Sequence, residues 1–173
     1  RYANELVAHI HDWERRRGVE AFGIAVAGYP ETHVECRDPA LDLANLRRKV
    51  DAGAHVVITQ LFYDNAAYWD FVGRARAAGI TVPIVPGLMP ILSRKQIQFM
   101  TEMCGASIPA DLDARLEQAG DDVDAAVEIG IEHCVAQARE LLARGVPGIH
   151  FYVLNRADQM ERIMQSLPLA AAR

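Results

Sequence analysis

Apolar residues recur along the chain with two alternating periods. Leu6, Ile10 and Trp13 sit at helical spacing within residues 1–17, and that run closes on Arg15-Arg16-Arg17-Gly18, cations followed by a helix-ending glycine. Phe22–Ala27 is a short apolar run stopped by Gly28-Tyr29-Pro30, which predicts a strand and then a turn. A helix is predicted over Pro39–Asp51, with Leu43, Leu46 and Val50 on one side and Gly53 behind it. His55–Leu61 reads as a strand, Asn65–Ala78 as a helix closed by Gly79, and Val82–Leu88 as a third strand. Two short helices, Ser93–Met103 and Pro109–Gln118, precede a long one over Val123–Arg144 that starts at Asp121-Asp122 and ends at Gly145. Gly148–Leu154 is the fourth strand and Arg156–Ser166 the last helix.

Strands alternating with helices predict a parallel sheet covered by helices. The strands are apolar nearly throughout, so both faces are expected to be buried. No fixed-period repeat and no Gly/Ser tract divides the chain, so residues 1–173 read as one domain. A doubly wound sheet and a (β/α)8 barrel both fit the alternation, although four strands cannot close a barrel. In either fold chemistry belongs beyond the carboxyl ends of the strands. Tyr29 and His33 follow the first strand and Gln60 ends the second. Pro86-Gly87 and Gln96 come with the third, and Tyr152, Asn155 and Arg156 close the fourth.

Composition narrows the function. Of 173 residues, 51% are hydrophobic and 24% charged, which suits a globular domain and excludes disorder, collagen and coiled coil. A net charge of −5 disfavours nucleic acid and anionic membrane surfaces as partners. Cys36, Cys104 and Cys134 are odd in number and lack C-x-x-C spacing, which points to reduced thiols and a cytoplasmic setting. The longest apolar run, Ile80–Leu92, holds three prolines and is too short to span a bilayer. The chain opens on Arg1, inside a helical pattern, and is expected to be a fragment.

Common motifs are missing. There is no G-x-G-x-x-G, no G-x-x-x-x-G-K-[ST], no H-E-x-x-H and no G-x-S-x-G, and the His and Cys residues lack ligand spacing, so no metal is expected. Asp42, Asn45 and Lys49 share a helical face with Arg48 beside it, opposite the leucine stripe. Spacing alone admits two readings: a solvated face, or a clamp in which cations meet phosphate and Asp and Asn meet sugar hydroxyls. Gln60 can serve a pocket with donor and acceptor, or be a strand end satisfied by backbone. His33 is either a base or a loop residue, and Arg156 either a carboxylate ligand or a solvated helix start. Phe99 and Met100 read most simply as core.

Taken together, Ala27-Gly28-Tyr29-Pro30-Glu31-Thr32-His33, Asp42 to Ala54 (DLANLRRKVDAGA), Ile58-Thr59-Gln60-Leu61-Phe62-Tyr63-Asp64, Pro86 to Ile91 (PGLMPI) and His150 to Ala157 (HFYVLNRA) resemble methylenetetrahydrofolate reductase over nearly the whole chain. The resemblance implies a (β/α)8 TIM-barrel flavoprotein of which this chain carries about the last four βα units, the C-terminal half of the catalytic domain. It implies FAD-dependent reduction of 5,10-methylenetetrahydrofolate to 5-methyltetrahydrofolate with NADH or NADPH, in a cytoplasmic homo-oligomer of one-carbon metabolism. It places Tyr29, His33, Cys36, Asp42, Asn45, Arg48 and Lys49 at FAD, and Gln60, Gln96, Tyr152 and Arg156 at the folate and nicotinamide. Met100 stands where some relatives carry a stacking aromatic. The family's proton-donating glutamate and flavin-tuning aspartate have no counterpart here, so no catalytic acid is expected in this chain. The alternative is a non-catalytic flavin-binding half-barrel or paralogue.

Overall fold

The computed structural model describes residues 2–36 and 38–168, and Arg1, which the sequence places in the first helix, lies outside them. Among the described residues eleven elements run in chain order: α1 (Ala3–Arg17), β1 (Ala25–Gly28), α2 (Pro39–Asp51), β2 (Val56–Leu61), α3 (Asn65–Ala77), β3 (Ile84–Leu88), α4 (Arg94–Cys104), α5 (Ala110–Ala119), α6 (Val123–Ala143), β4 (His150–Phe151) and α7 (Ala157–Ser166). Helix starts are set by side-chain caps. Asp38, Asp64, Ser93 and Asp122 accept from Ala40, Ala66, Gln96 and Ala125 backbone N–H groups at 2.8–3.1 Å. Pro39 opens α2, where its missing N–H costs nothing.

The four strands are all parallel and lie in sequence order, β1-β2-β3-β4. That order lacks the reversal of a doubly wound sheet. Val26, Val57, Ile84 and Leu88 project from one face into a core built with Val7 of α1, Leu46 of α2, Phe71 and Ala75 of α3, Ala138 and Leu141 of α6 and Ile163 of α7. Each such large aliphatic or aromatic side chain contributes about 1.5–3 kcal/mol of burial. A second cluster joins Leu61 at the end of β2 and Tyr63, Met89 and Ile91, beyond the strands' carboxyl ends, to α4, α5 and the start of α6.

Several expectations are corrected. Among the described residues the sheet is covered on one face only. Ala25 and Ala27 are exposed, and Val56, Ile58, Gln60 and Val85 are only partly buried, although parallel strands normally lie between two layers. In α1 the buried residues are Val7 and Glu14; of the expected stripe Ile10 packs against the core, while Leu6 and Trp13 are exposed. The helix is turned by Glu14, whose carboxylate takes the Ala21 and Phe22 N–H groups at 2.8 and 2.9 Å. The fourth strand is two residues long, because Leu154 and Asn155 adopt left-handed φ values of 48° and 61° and turn the chain. Phe99 is exposed rather than core, while Met100 packs on the second cluster.

Candidate functional site

Most of the residues expected at a site divide between two groups at the carboxyl rim. The first forms around β1. The turn after Gly28 brings the Tyr29 and His33 rings edge to face, with centroids 4.5 Å apart. Asp42, one turn into α2, accepts the His33 N–H at 3.2 Å and so ties this loop to the helix. His33 Nδ1 accepts the Glu35 N–H at 3.0 Å, which leaves the proton of the neutral ring on Nε2. Lys49, two turns along the same face, donates to the Ala27 carbonyl at 2.5 Å and lies 6.0 Å from the Tyr29 ring centre. Burial lowers the Lys49 pKa, opposed by the nearby Asp42 carboxylate, and burial raises that of Tyr29. Ala27, Gly28, Tyr29, Asp42, Leu43 and Lys49 line a small cleft, to which Phe71 and Arg74 also contribute.

Asn45 and Arg48 make their own pair at 2.6 Å, with the Arg48 guanidinium in solvent. Cys36 is held by its N–H on the His33 carbonyl at 2.8 Å and its thiol on the Asp38 carbonyl at 3.3 Å. The loop is clamped from above by Glu31, which accepts from the Ser107 N–H at 3.0 Å and from its hydroxyl. From below, Arg74 donates to the Pro30 carbonyl at 2.9 Å. Neither Glu31 nor Arg74 was singled out from sequence, though Glu31 stands inside the Y-P-E-x-H block.

The second group lies where β2, β3 and β4 end. Gln60 is half-buried on the uncovered face, and its Oε1 accepts the Leu61 N–H at 2.9 Å. Its NH2 has no protein partner among the described residues. Tyr152 donates its hydroxyl to the Thr59 carbonyl at 2.9 Å, and Thr59 Oγ1 accepts the Gly87 N–H at 2.9 Å. These contacts at Thr59 were not foreseen from the sequence, where it reads as one more strand residue. Burial raises the Tyr152 pKa, with lesser contributions from Cys104 and Tyr29.

Gln96 begins α4 with its Oε1 on the Leu92 N–H at 3.2 Å, and its buried Nε2 lacks a partner among the described residues. That orphan donor is the kind of group a ligand satisfies. Arg156 is not drawn into either group: it is exposed and paired with Asp158 at 3.4 Å.

A larger groove of about 460 Å3 lies on the helical side, lined by Tyr63, Asn65, His133, Gln137, Glu140 and others. Several of its polar groups satisfy one another, although the buried Tyr63 hydroxyl has no partner among the described residues. Asn65 donates to Glu140 at 2.8 Å, Gln137 to the Phe62 carbonyl at 3.3 Å, and His133 Nε2 lies 3.0 Å from the Tyr63 carbonyl. It contains none of the expected site residues. Among the described residues, no group of three or more His, Cys, Asp or Glu side chains could hold a metal ion, and no helix is long and apolar enough to cross a membrane.

The chain is 41% identical over 176 residues to the probable methylenetetrahydrofolate reductase (NADH) of Oryza sativa, covering 96% of this chain and 29% of that protein. It is 37% identical over 166 residues to the 5,10-methylenetetrahydrofolate reductase of Escherichia coli, covering 96% and 54%. It therefore spans about half the length, or less, of these relatives. A solved Clostridium thermocellum protein, described as uncharacterized and as binding two copies of 5-methyl-5,6,7,8-tetrahydrofolic acid, shares the fold. Its TM-score is 0.57 at 22% identity, over 89% of this chain and 55% of that one. The family model for methylenetetrahydrofolate reductase matches residues 1–168, and the chain belongs to that family.

Proposed function

We propose that this chain supplies the flavin and substrate rim of a cytoplasmic, homo-oligomeric enzyme that reduces 5,10-methylenetetrahydrofolate to 5-methyltetrahydrofolate with NADH or NADPH. In this reading it contributes about four βα units of a (β/α)8 barrel, whose remaining strands complete the sheet and cover its open face. The sequential parallel order and the uncovered face support that placement.

The residues present fit FAD. Ala25 and Ala27 leave the inner side of β1 free of bulk beside a helix face that offers Asp42, Asn45, Arg48 and Lys49. Arg48 and Lys49 would hold phosphate, Asp42 and Asn45 sugar hydroxyls, and Tyr29, His33 and Cys36 the edge of the site. Bound FAD would supply hydride transfer between the nicotinamide and the folate. Gln60 would orient both substrates. With its Oε1 turned to Leu61, its NH2 remains to donate to a pterin or carboxamide oxygen without imposing charge. The unpartnered Gln96 donor would serve the folate, and Arg156 its carboxylate tail. We assign the proton donor to residues outside this chain.

The observation that carries the reading is the β1–β2 register, in which Gly28 pairs with Thr59 and the Tyr29 loop and Gln60 therefore follow at one rim, in a chain of this family. The test is Gln60→Glu in the intact protein. We expect bound FAD to be retained and reoxidation of reduced flavin by methylenetetrahydrofolate to slow about 10-fold or more, about 1.4 kcal/mol, because a carboxylate has no N–H to donate to the folate. Wild-type rates in a flavin-replete variant would refute it. The second reading, a flavin-binding half-barrel without turnover, is favoured by the uncovered sheet face. It predicts FAD binding with no reoxidation by the folate even in the unmutated protein.

A further inference from the structure

Between the pairs Ile58–Val85 and Leu61–Gly87, β2 contributes two residues, Thr59 and Gln60, where β3 contributes only Pro86. Two residues against one make a β-bulge, a device that re-aims a side chain near a strand end. Its contacts come from three strands. The Gly87 N–H donates to Thr59 Oγ1, the Leu61 N–H to Gln60 Oε1, and the Tyr152 phenol to the Thr59 carbonyl, each at 2.9 Å. Tyr152 is itself anchored through its N–H on the Leu88 carbonyl at 2.8 Å. Gly87 permits the arrangement. A Cβ there would stand 2.2 Å from the Thr59 carbonyl oxygen and 2.7 Å from Tyr152 Cε2.

A phenol has one hydrogen to give. In Tyr152 that hydrogen is committed to Thr59, so the ring cannot also donate to a ligand while the bulge is held. We infer that Tyr152 is a positioning residue: through the Thr59 carbonyl it locks the bulge that presents the Gln60 amide, with Thr59 and Gly87 completing the lock. The consequence for folate handling rests on the function proposed above, whereas the lock itself does not. A direct substrate contact by Tyr152 would act independently of Gln60; a lock acts only through it.

The experiment has two arms on the intact protein. Amide hydrogen exchange is measured for wild type and Tyr152→Phe, a variant that keeps the ring. The lock predicts roughly 10-fold faster exchange at Leu61 and Gly87, with Val57 unchanged. In the second arm, flavin reoxidation by methylenetetrahydrofolate is compared in Tyr152→Phe, Gln60→Ala and the double variant, with bound FAD quantified. Tyr152→Phe should slow the step about fivefold, and should add nothing in the Gln60→Ala background. Unchanged exchange at both amides, or losses that multiply in the double variant, would overturn the inference. If unmutated protein does not reoxidise its flavin with the folate, the proposed function fails, and the exchange arm alone decides the lock.

Discussion

Arg48 and Lys49 are neighbours in sequence with different tasks in the structure. Arg48 is exposed and reaches only Asn45, one turn back. Lys49 is half-buried on the Ala27 carbonyl, beside Tyr29 and Asp42. Removing Arg48 should leave folding stability within about 0.5 kcal/mol, as for an ordinary surface change. Lys49→Ala removes a partly screened charged hydrogen bond and should cost about 1 kcal/mol. Denaturant midpoints of the two intact variants test this, and equal losses would contradict the division. Flavin titration of the same variants should show weaker binding in both if they form the clamp. Gly87→Ala should be harsher, about 2–3 kcal/mol, because its Cβ meets fixed backbone and a packed ring rather than a flexible side-chain end.

At the scale of elements, α1 is fastened by a pair of titrating groups. Glu14 accepts two backbone N–H groups and His11, while His11 places its other nitrogen 3.0 Å from the Gly53 carbonyl. The backbone bonds from Ala21 and Phe22 lower the Glu14 pKa from its ordinary 4.5. The bond to Gly53, then Glu14, raises that of His11 from 6.5. A lowered carboxylate stabilises above its unfolded value and loses that contribution as pH falls through the folded value. A raised histidine stabilises fully below 6.5 and loses its contribution as pH rises through the folded value. The anchorage of α1 should therefore be strongest between about pH 4.5 and 6.5. His11→Gln should remove the alkaline decline and spare the acid one, as read from urea midpoints across pH. An alkaline decline unchanged in that variant would show that His11 has no part in it.

What was legible in the sequence follows the range of the interactions. Caps and breakers act over a few residues, so helix limits set by Asp38-Pro39, Asp64 and Ser93 fall within a residue of those predicted. The inward face of α1 was misread because Glu14, a charge, is buried to cap a loop seven residues on, while Leu6 and Trp13 are left outside. The shortness of β4 depends on two left-handed residues that no periodicity marks. The α2 clamp stayed ambiguous because spacing places side chains on a face without saying what lies opposite. Only the structure shows Lys49 turned onto β1. The bulge at Thr59 was invisible for the same reason: its partner, Tyr152, is 93 residues away.

The whole molecule exposes more than its mass warrants. Its accessible surface is 10,114 Å2, about 1,700 Å2 above the roughly 8,400 Å2 expected of a closed globule of 19.1 kDa. Part of that excess lies on the uncovered sheet face, where Ala25 and Ala27 are exposed and Val56, Ile58 and Val85 half-buried. Among the described residues the sheet also ends in two unpaired edges, β1 and the two-residue β4. Near β1, Trp13 and Phe22 pack together with centroids 6.0 Å apart yet remain 41% and 55% exposed. Open parallel edges beside apolar surface recruit further strands or other chains. The isolated 173-residue chain should therefore associate or aggregate, while the intact protein, with this face covered, stays discrete. Sedimentation velocity on both distinguishes the cases. A stable, monodisperse 19.1 kDa monomer would mean that the open face is compatible with water and that the excess surface has another origin.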